Sequence, residues 1–310
     1  MRNYDVSQKK QKIKINNACK NNISIVIPNR NNEKYLDSCI QSVVNQKDSC
    51  FTFIVSDNHS SDGSMNIIDS YRDSIDKFIS PPRPLGYKEH LFWILEHVQT
   101  EFVIFLAGDD IAHTELIYCY RKSLEKNIVK NIAFLCSPFY YIDKNTNIYR
   151  ISIWDRRYEG TKQNMLHVFL NGPICNISSV AWKVNNLKSL HIPDEIGNSI
   201  DWYLYIMMSS RNDVLLINKR LLFYRVHSAS TGNSNIVAHT DNCKRLFIYL
   251  KKNEFKDDAE IIKKIEINIE AFSKVIDGKQ TYSINYVFKS ALFFIYKLIF
   301  KWYRHPQLKR

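Results

Sequence analysis

Residues 101–111 of this 310-residue chain read EFVIFLAGDDI, an apolar run followed by two adjacent carboxylates. The run from Phe102 to Leu106 is rich in aromatic and β-branched side chains, which is typical of a strand buried on both faces of a parallel sheet. Asp109 and Asp110 cannot follow it into a core, because paired charges cost free energy unless a cation or donors meet them. The pair therefore indicates a binding site or, alternatively, a turn that caps a helix predicted over residues 111–127.

Two earlier stretches repeat this order of strand, polar turn and helix. Residues 21–46, NNISIVIPNRNNEKYLDSCIQSVVNQ, predict a strand over Ile23–Ile27 and then a helix with one apolar face. Residues 51–71, FTFIVSDNHSSDGSMNIIDSY, predict a strand over Phe51–Val55 and a second helix. Alternating strands and helices at this spacing predict an α/β fold, with a mostly parallel sheet flanked by helices.

Polar side chains follow each of the three predicted strands. Ligands of parallel α/β sheets bind beyond the carboxyl ends of the strands, and these ends meet at one edge. We therefore expect a binding site at that edge, formed by Asn29, Asn31, Asp57, Asn58, Asp109 and Asp110.

Composition limits the class of protein. With 45% hydrophobic residues the chain can bury a sizeable core, as one large domain or one domain with an appendage. Seven cysteines without a CxxC pair indicate reduced packing residues in a cytoplasmic protein, not a disulfide scaffold or a zinc site. The amino-terminal segment lacks the apolar region of a secretory signal, and no apolar run is long enough to span a bilayer.

The net charge of +12 is concentrated at the two ends of the chain. Residues 1–20 contain six Lys or Arg and one acid, and residues 281–310 contain six and none, so the ends carry +5 and +6 and the remainder carries +1. A nearly neutral globular part does not favour nucleic acid as a partner.

The carboxyl-terminal residues 286–310, YVFKSALFFIYKLIFKWYRHPQLKR, combine aromatic and basic side chains. As a helix they would place their cations in one sector beside a broad apolar face, which predicts peripheral binding to an anionic membrane surface at the cytoplasmic side. The alternative is a terminal helix that docks on its own domain. The cations are Lys289, Lys297, Lys301 and Arg304, and the apolar face includes Phe293, Phe294, Leu298 and Ile299.

The three loops together resemble the family 2 glycosyltransferases, which have the Rossmann-like GT-A fold. Residues 27–31, IPNRN, stand in place of a motif similar to I-P-T-Y-N, and residues 55–63, VSDNHSSDG, in place of V-V-D-D-G-S-T-D-G. Residues 107–110, AGDD, match a D-x-D-D pattern. The resemblance covers roughly residues 22–230, and the combination is more specific than any single motif.

The resemblance implies roles for these loops. Pro28 with Asn29 and Asn31 would line the nucleoside pocket, Asp57 would accept from the base with Asn58 beside it, and Asp109 and Asp110 would serve the ribose and a divalent metal, Mn²⁺ or Mg²⁺. In the first 110 residues the chain departs from the family pattern at four positions: Ala107 replaces an acid, Asn58 an acid, His59 a glycine, and His90 a common asparagine.

Two downstream segments also resemble family motifs. Residues 197–210, GNSIDWYLYIMMSS, match a segment whose acid is the general base of inverting members, which implies that role for Asp201, although Ile200 replaces a neighbouring Glu. A helix cap is the other reading of Asp201. In YRVHSAS, residues 224–230, the resemblance implies His227 as a metal or diphosphate ligand and Arg225 and Ser230 as nucleotide-sugar contacts.

These observations predict an inverting transferase that moves a sugar from a UDP-sugar to a lipid-linked or oligosaccharide acceptor in bacterial surface-polysaccharide synthesis. A non-catalytic nucleotide-sugar-binding scaffold on the same fold stays open, as does a homo-oligomer. A sugar nucleotidyltransferase fits less well, since no glycine-rich phosphate loop follows the first strand.

The predicted organisation is a basic segment, a catalytic domain and a helical region. The catalytic domain has a nucleotide-sugar half and an acceptor half, and the helical region includes the membrane-associating helix. The predicted ranges are 1–21 for the basic segment, 22–234 for the catalytic domain with halves 22–112 and 113–234, and 235–310 for the helical region.

Overall fold

The computed structural model describes residues 22–127, 131–152, 160–162, 165–227 and 236–276. The predictions for the basic amino-terminal segment, for Ser230 and for the carboxyl-terminal membrane helix lie outside the described residues.

The described residues form an eight-stranded sheet and a four-stranded sheet. The larger sheet has the order β3-β2-β1-β4-β10-β6-β11-β9, and the smaller one has the order β5-β12-β7-β8, for strands with the bounds that follow. These are β1 (Ile23–Asn29), β2 (Thr52–Asp57), β3 (Lys77–Ile79), β4 (Phe102–Phe105), β5 (Ile111–Ala112), β6 (Ile132–Cys136), β7 (Phe139–Ile142), β8 (Ile148–Ile151), β9 (Gly160–Lys162), β10 (Val180–Lys183), β11 (Asp213–Leu216) and β12 (Leu222–Arg225).

The helices lie between these strands and after the last of them. They are α1 (Glu33–Val44), α2 (Ser64–Ser70), α3 (Tyr87–Glu96), α4 (Leu116–Lys126), α5 (Leu166–Leu170), α6 (Val184–Lys188), α7 (Ile200–Arg211), α8 (Ile236–Tyr249) and α9 (Ala259–Ile276).

The predicted α/β class and the mostly parallel arrangement around the site are confirmed. β1 pairs in parallel with β2 and with β4, and β2 pairs in parallel with β3, so their carboxyl ends share one edge. β10 runs antiparallel between β4 and β6. The core-facing side of α1 packs on this sheet through the predicted apolar stripe, whose buried members are Tyr35, Leu36, Cys39, Ile40 and Val43.

The alternative in which Asp109 or Asp110 caps a helix is wrong. The next helix, α4, begins at Leu116 with Glu115 as its N-cap, and Ile111–Ala112 form a short strand instead. This strand pairs with β12, so the residues directly after Asp110 are extended and not helical. The two carboxylates therefore belong to a turn at the sheet edge.

The chain divides into two compact units. The first takes the residues up to 164 together with 174–191 and 211–226, and it contains both sheets. Among the described residues, the second takes 165–173, 192–210, 227 and 236–276, and the predicted domain bounds stay a prediction. Within the second unit, Trp202 donates from Nε1 to the Phe169 carbonyl at 2.6 Å and packs edge-on against Phe247 and Phe272.

The helical region predicted from residue 235 contains α8 and α9, whose buried apolar residues include Leu246, Phe247, Ile261, Ile265 and Phe272. Cys39, Cys119 and Cys136 are free thiols, as expected, whereas Cys50 is disulfide-bonded and departs from that expectation. Among the residues that the structure describes, no helix combines the length and the apolar character needed to cross a bilayer.

Candidate functional site

Asp57 lies at the carboxyl end of β2, opposite Asn29 at the end of β1. Its Oδ1 accepts from Asn29 Nδ2 at 2.8 Å and from Ser60 Oγ at 2.6 Å, and its Oδ2 accepts from the Ser60 amide at 3.0 Å. The residue is 3% exposed. Three donors therefore satisfy a buried carboxylate and fix its orientation.

Asn31 joins the loop after β1 to the loop after β2. Its backbone has a φ of +56°, a left-handed conformation that Asn tolerates better than most residues. Its amide donates to Ser60 Oγ at 2.9 Å, and its Oδ1 accepts from the Ser61 amide at 2.8 Å. The half-buried Pro28 precedes this junction, so all predicted residues of the two loops lie together.

Asp110 closes a tight turn after β4, because its amide donates to the Ala107 carbonyl at 3.0 Å. Oδ1 accepts from the Arg225 amide at 2.8 Å, whereas the buried Oδ2 accepts no hydrogen bond from any described residue. Burial, followed by the charge of Asp109, raises the pKa of Asp110 well above its ordinary value, and the hydroxyl of Ser178 and the backbone amide and charge of Arg225 oppose this rise. A carboxylate oxygen without a donor is suited to a cation.

Arg225 holds the Asp109–Asp110 turn from the end of β12. It is 1% exposed, and its Nε donates to the Asp109 carbonyl at 2.8 Å. Its Nη1 donates to the Asp143 carbonyl and to Thr146 Oγ1, each at 3.0 Å, and the guanidinium lies over the Tyr35 ring at 4.7 Å. These donors contact protein atoms, so Arg225 holds the turn, and its contact with a sugar nucleotide stays a prediction.

Asn32 brings the two halves of this edge together. Its Nδ2 donates to Asn29 Oδ1 at 3.2 Å, next to the Asp57 cluster. A Cβ at Gly108 would stand 3.0 Å from the same Nδ2, so a side chain at position 108 would require Asn32 to shift by a few tenths of an ångström. Asp57 and the Asp109–Asp110 turn thus lie at one edge, joined through Asn29 and Asn32.

The oxygen donors at this edge fit a divalent cation in part. Asp109 and Asp110 supply carboxylate oxygens, and one of them is buried without a donor. No group of three His, Cys, Asp or Glu able to hold a metal occurs among the described residues, so His227 does not complete a three-residue site there. Mg²⁺ and similar ions are commonly held by one or two carboxylates plus the substrate's phosphates, which this pair can satisfy.

His90 and Ser56 form a buried pair beneath the site. Ser56 Oγ lies 2.7 Å from His90 Nε2. Burial lowers the pKa of His90 from 6.5 to about 4, with Asp57 opposing and Arg30 adding to the effect. His90 therefore connects α3 to β2 as a neutral imidazole, a role that the sequence did not indicate.

Asp201 lies in the second unit, in the first turn of α7. Its Oδ1 accepts from the Trp202 amide at 2.8 Å. Burial raises the pKa of Asp201 above its ordinary value, and the nearby His239 opposes that rise. Ile200 is buried, so the position at which the family resemblance implied a second acid is part of the core.

His227 also belongs to the second unit.

No role was predicted from the sequence for four residues that hold the site together in the structure. These are Asn32, Ser60, Ser178 and His90. Ser60 lies within the second motif, but no role was predicted for it. Ser178 accepts at Oγ from the amide of Ala107 at 3.1 Å, and the two residues are far apart in the sequence. No local pattern marks such long-range contacts.

A mostly parallel α/β sheet flanked by helices, with polar and acidic side chains at the carboxyl edge of β1, β2 and β4, is an arrangement of the GT-A type. The family model for glycosyl transferase family 2 matches residues 24–180, and the chain belongs to that family.

Relatives and solved structures agree with this assignment. The chain is 26% identical over 240 residues to the uncharacterized glycosyltransferase MJ1057 of Methanocaldococcus jannaschii, covering 76% of this chain and 80% of that protein. It is 24% identical over 191 residues to the teichoic acid poly(glycerol phosphate) polymerase of Staphylococcus epidermidis, covering 59% of this chain and only 25% of the polymerase.

Two solved structures have the same fold. S. aureus TarS 1–349 in complex with UDP-GlcNAc superposes with a TM-score of 0.61 at 15% identity, over 88% of this chain and 75% of that one. The mannosyltransferase PcManGT from Pyrobaculum calidifontis, in complex with GDP-Man and Mn²⁺, gives a TM-score of 0.58 at 11% identity, over 91% and 81%.

Proposed function

We propose that this glycosyltransferase transfers a sugar from a UDP-sugar, with inversion, to a hydroxyl of a lipid-linked or oligosaccharide acceptor. The pathway we propose is bacterial surface-polysaccharide biosynthesis. The observation that carries the donor site is the buried Oδ2 of Asp110, which no described residue satisfies, at the same edge as the fixed carboxylate of Asp57.

Asp109 and Asp110 would hold a divalent cation together with the donor's diphosphate. When bound, that cation supplies neutralisation of the negative charge that develops on the leaving diphosphate. Asp57, fixed by Asn29 and Ser60, would accept from the nucleotide base, and Pro28 would line the nucleoside pocket.

Asp201 is the proposed general base. It would take the proton of the acceptor hydroxyl as that oxygen bonds to the anomeric carbon and the bond from this carbon to the diphosphate oxygen breaks. Attack opposite to the leaving group converts an α-linked donor into a β-linked product. The raised pKa of Asp201 makes its carboxylate a stronger base than an ordinary aspartate.

The choice of UDP rests on relatives with the same fold. TarS is solved with UDP-GlcNAc, whereas PcManGT is solved with GDP-Man, so the fold accommodates either nucleotide. The sequence similarity to a teichoic acid polymerase supports a polymer of the bacterial surface as the destination.

Peripheral attachment to the cytoplasmic face of the membrane is proposed from the basic aromatic sequence of residues 286–310. Full-length protein should float with vesicles that contain phosphatidylglycerol and separate from them at high salt. Equal flotation with purely zwitterionic vesicles would contradict an electrostatic attachment.

The donor site is tested by calorimetric titration with UDP and GDP, in Mn²⁺ and then in EDTA. We expect one nucleotide to bind in Mn²⁺ and at least tenfold more weakly in EDTA, and Asp110→Asn to remove the metal dependence. Asp69→Asn, on the exposed side of α2, is the matched control and should bind like the wild type. A folded wild type that binds neither nucleotide would overturn the proposal.

A further inference from the structure

Asn58, one of the departures from the family pattern, uses its whole side chain on the backbone of one residue. It is 3% exposed, its Nδ2 donates to the Leu85 carbonyl at 2.8 Å, and its Oδ1 accepts from the Leu85 amide at 2.8 Å. Only a side chain with a donor and an acceptor side by side can make both bonds. The pairing therefore requires an amide at position 58.

The segment that ends at Leu85 is held at its other end as well. His59 Nε2 lies 2.8 Å from the Pro81 carbonyl, and His59 has a φ of +57°, a left-handed conformation that is unfavourable for histidine. Three of the five residues of this segment, which runs from Pro81 to Leu85, are prolines with restricted φ. Two tethers and three prolines hold the segment in one conformation.

The segment follows β3 at the edge of the sheet that carries the proposed donor site. β3 is parallel to β2, so the residues that follow β3 leave the sheet at the same edge as Asp57 and Asn58. A wall that is ordered before the ligand arrives lowers the entropy lost on binding.

We propose that Asn58 is a positioning residue that fixes residues 81–85 as a preformed wall of the nucleoside diphosphate site. This inference rests on the proposed donor site. On this inference, Asn58 and His59 differ from the family pattern because they bind the backbone of residues 81–85. Their presence is then no sign that the site has lost its function.

The inference makes an unusual prediction for Asn58→Asp, which restores the acid typical of the family. An aspartate can still accept from the Leu85 amide, but it places a carboxylate oxygen against the Leu85 carbonyl in a buried position. Restoring the family residue should therefore release the segment.

The test combines hydrogen exchange of the amides of Arg83, Leu85 and Gly86 with titration by whichever of UDP and GDP the wild type binds. In Asn58→Asp and Asn58→Ala we expect faster exchange and at least tenfold weaker nucleotide binding. Asn66→Asp makes the same change at an exposed position of α2 and should alter neither.

His59→Gly provides a variant that keeps the fold, because glycine adopts the left-handed backbone without strain. It removes only the tether to Pro81, so we expect unchanged or higher thermal stability together with several-fold weaker nucleotide binding. A merely structural role would not lower affinity in a variant that is equally stable.

The outcomes separate the two proposals. Faster exchange with unchanged nucleotide affinity, or unchanged exchange in both Asn58 variants, would overturn the positioning role while the donor site stands. A wild type that binds neither nucleotide would remove the donor site, and this inference with it.

Discussion

Arg225 shows how one buried residue can hold the acidic turn of the candidate site through contacts with its backbone and side chain. Its backbone amide meets Asp110 Oδ1, and its Nε meets the carbonyl of Asp109, so both members of the acidic pair are held by one residue. A third contact, from Nη1 to the carbonyl of Asp143, joins the turn to the end of β7. The guanidinium charge also lowers the cost of keeping Asp110 ionised.

Replacing Arg225 by Lys should weaken the turn although the charge remains. A lysine has no planar fork, so it cannot serve the carbonyls of Asp109 and Asp143 together. We expect a loss of about 2 to 3 kcal/mol in the free energy of unfolding and at least tenfold weaker metal-dependent nucleotide binding. Urea unfolding and calorimetry measure the two effects.

The matched control for this prediction is Arg245→Lys, which changes an exposed arginine whose ion pair with Asp241 lies on the surface. Such pairs contribute little, so this variant should stay within about 0.5 kcal/mol of the wild type. If Arg225→Lys behaved like the control, the turn would not depend on the guanidinium.

At the scale of elements, the strands and helices that position the site could be predicted and the contacts between them could not. β1, β2, β4 and α1 followed from uninterrupted apolar runs and from a stripe at helical spacing, because burial imposes those periods on the sequence. β5 was missed, since two residues after Asp110 carry no period and the helical pattern extended over them.

The residues that hold the loops were missed for a related reason. The Arg225 to Asp109 bond spans 116 positions and the Ala107 to Ser178 bond spans 71, so neither leaves a local pattern. The position of Asp57, Asp109 and Asp110 at the sheet edge could be predicted, because a charge at the end of a buried strand is recognisable from local sequence alone.

The contact between α3 and β2 predicts a pH dependence of stability. His90 has a folded pKa of about 4 against an ordinary value of 6.5, so the unfolded chain binds the proton first as the pH falls. The stability from neutral His90 is complete above pH 6.5 and is lost progressively toward pH 4. We expect a loss of about 1 to 2 kcal/mol between pH 7 and pH 4.5, after allowance for partial solvation.

The contribution of His90 can be isolated with His90→Asn, which has no titrating group and carries the residue common in the family. Urea unfolding at pH 7 and pH 4.5 should show a smaller loss for this variant than for the wild type. His191→Asn changes an exposed histidine and should lose as much as the wild type. Equal losses in all three proteins would show that His90 does not titrate differently in the two states.

At the scale of the whole molecule, the groups proposed for donor binding and for proton transfer belong to different compact units. Asp57, Asp109 and Asp110 are in the first unit, and Asp201 is in the second. If the roles divide in this way, nucleotide affinity and turnover should be separable by mutation. A scaffold that had lost activity would show nucleotide binding alone.

Asp201→Asn should therefore bind the nucleotide within about twofold of the wild type and lose at least about 10²-fold in release of UDP from a UDP-sugar, because a neutral amide cannot accept the hydroxyl proton. Asp110→Asn should lose both nucleotide binding and turnover.

In the wild type, turnover should fall as the pH drops through the pKa of Asp201. Because burial raises that pKa, the acid limb of the pH profile should lie above the ordinary aspartate value of about 3.9. Wild-type turnover by Asp201→Asn would assign the base elsewhere, and loss of nucleotide binding in that variant would show that Asp201 serves the donor site instead.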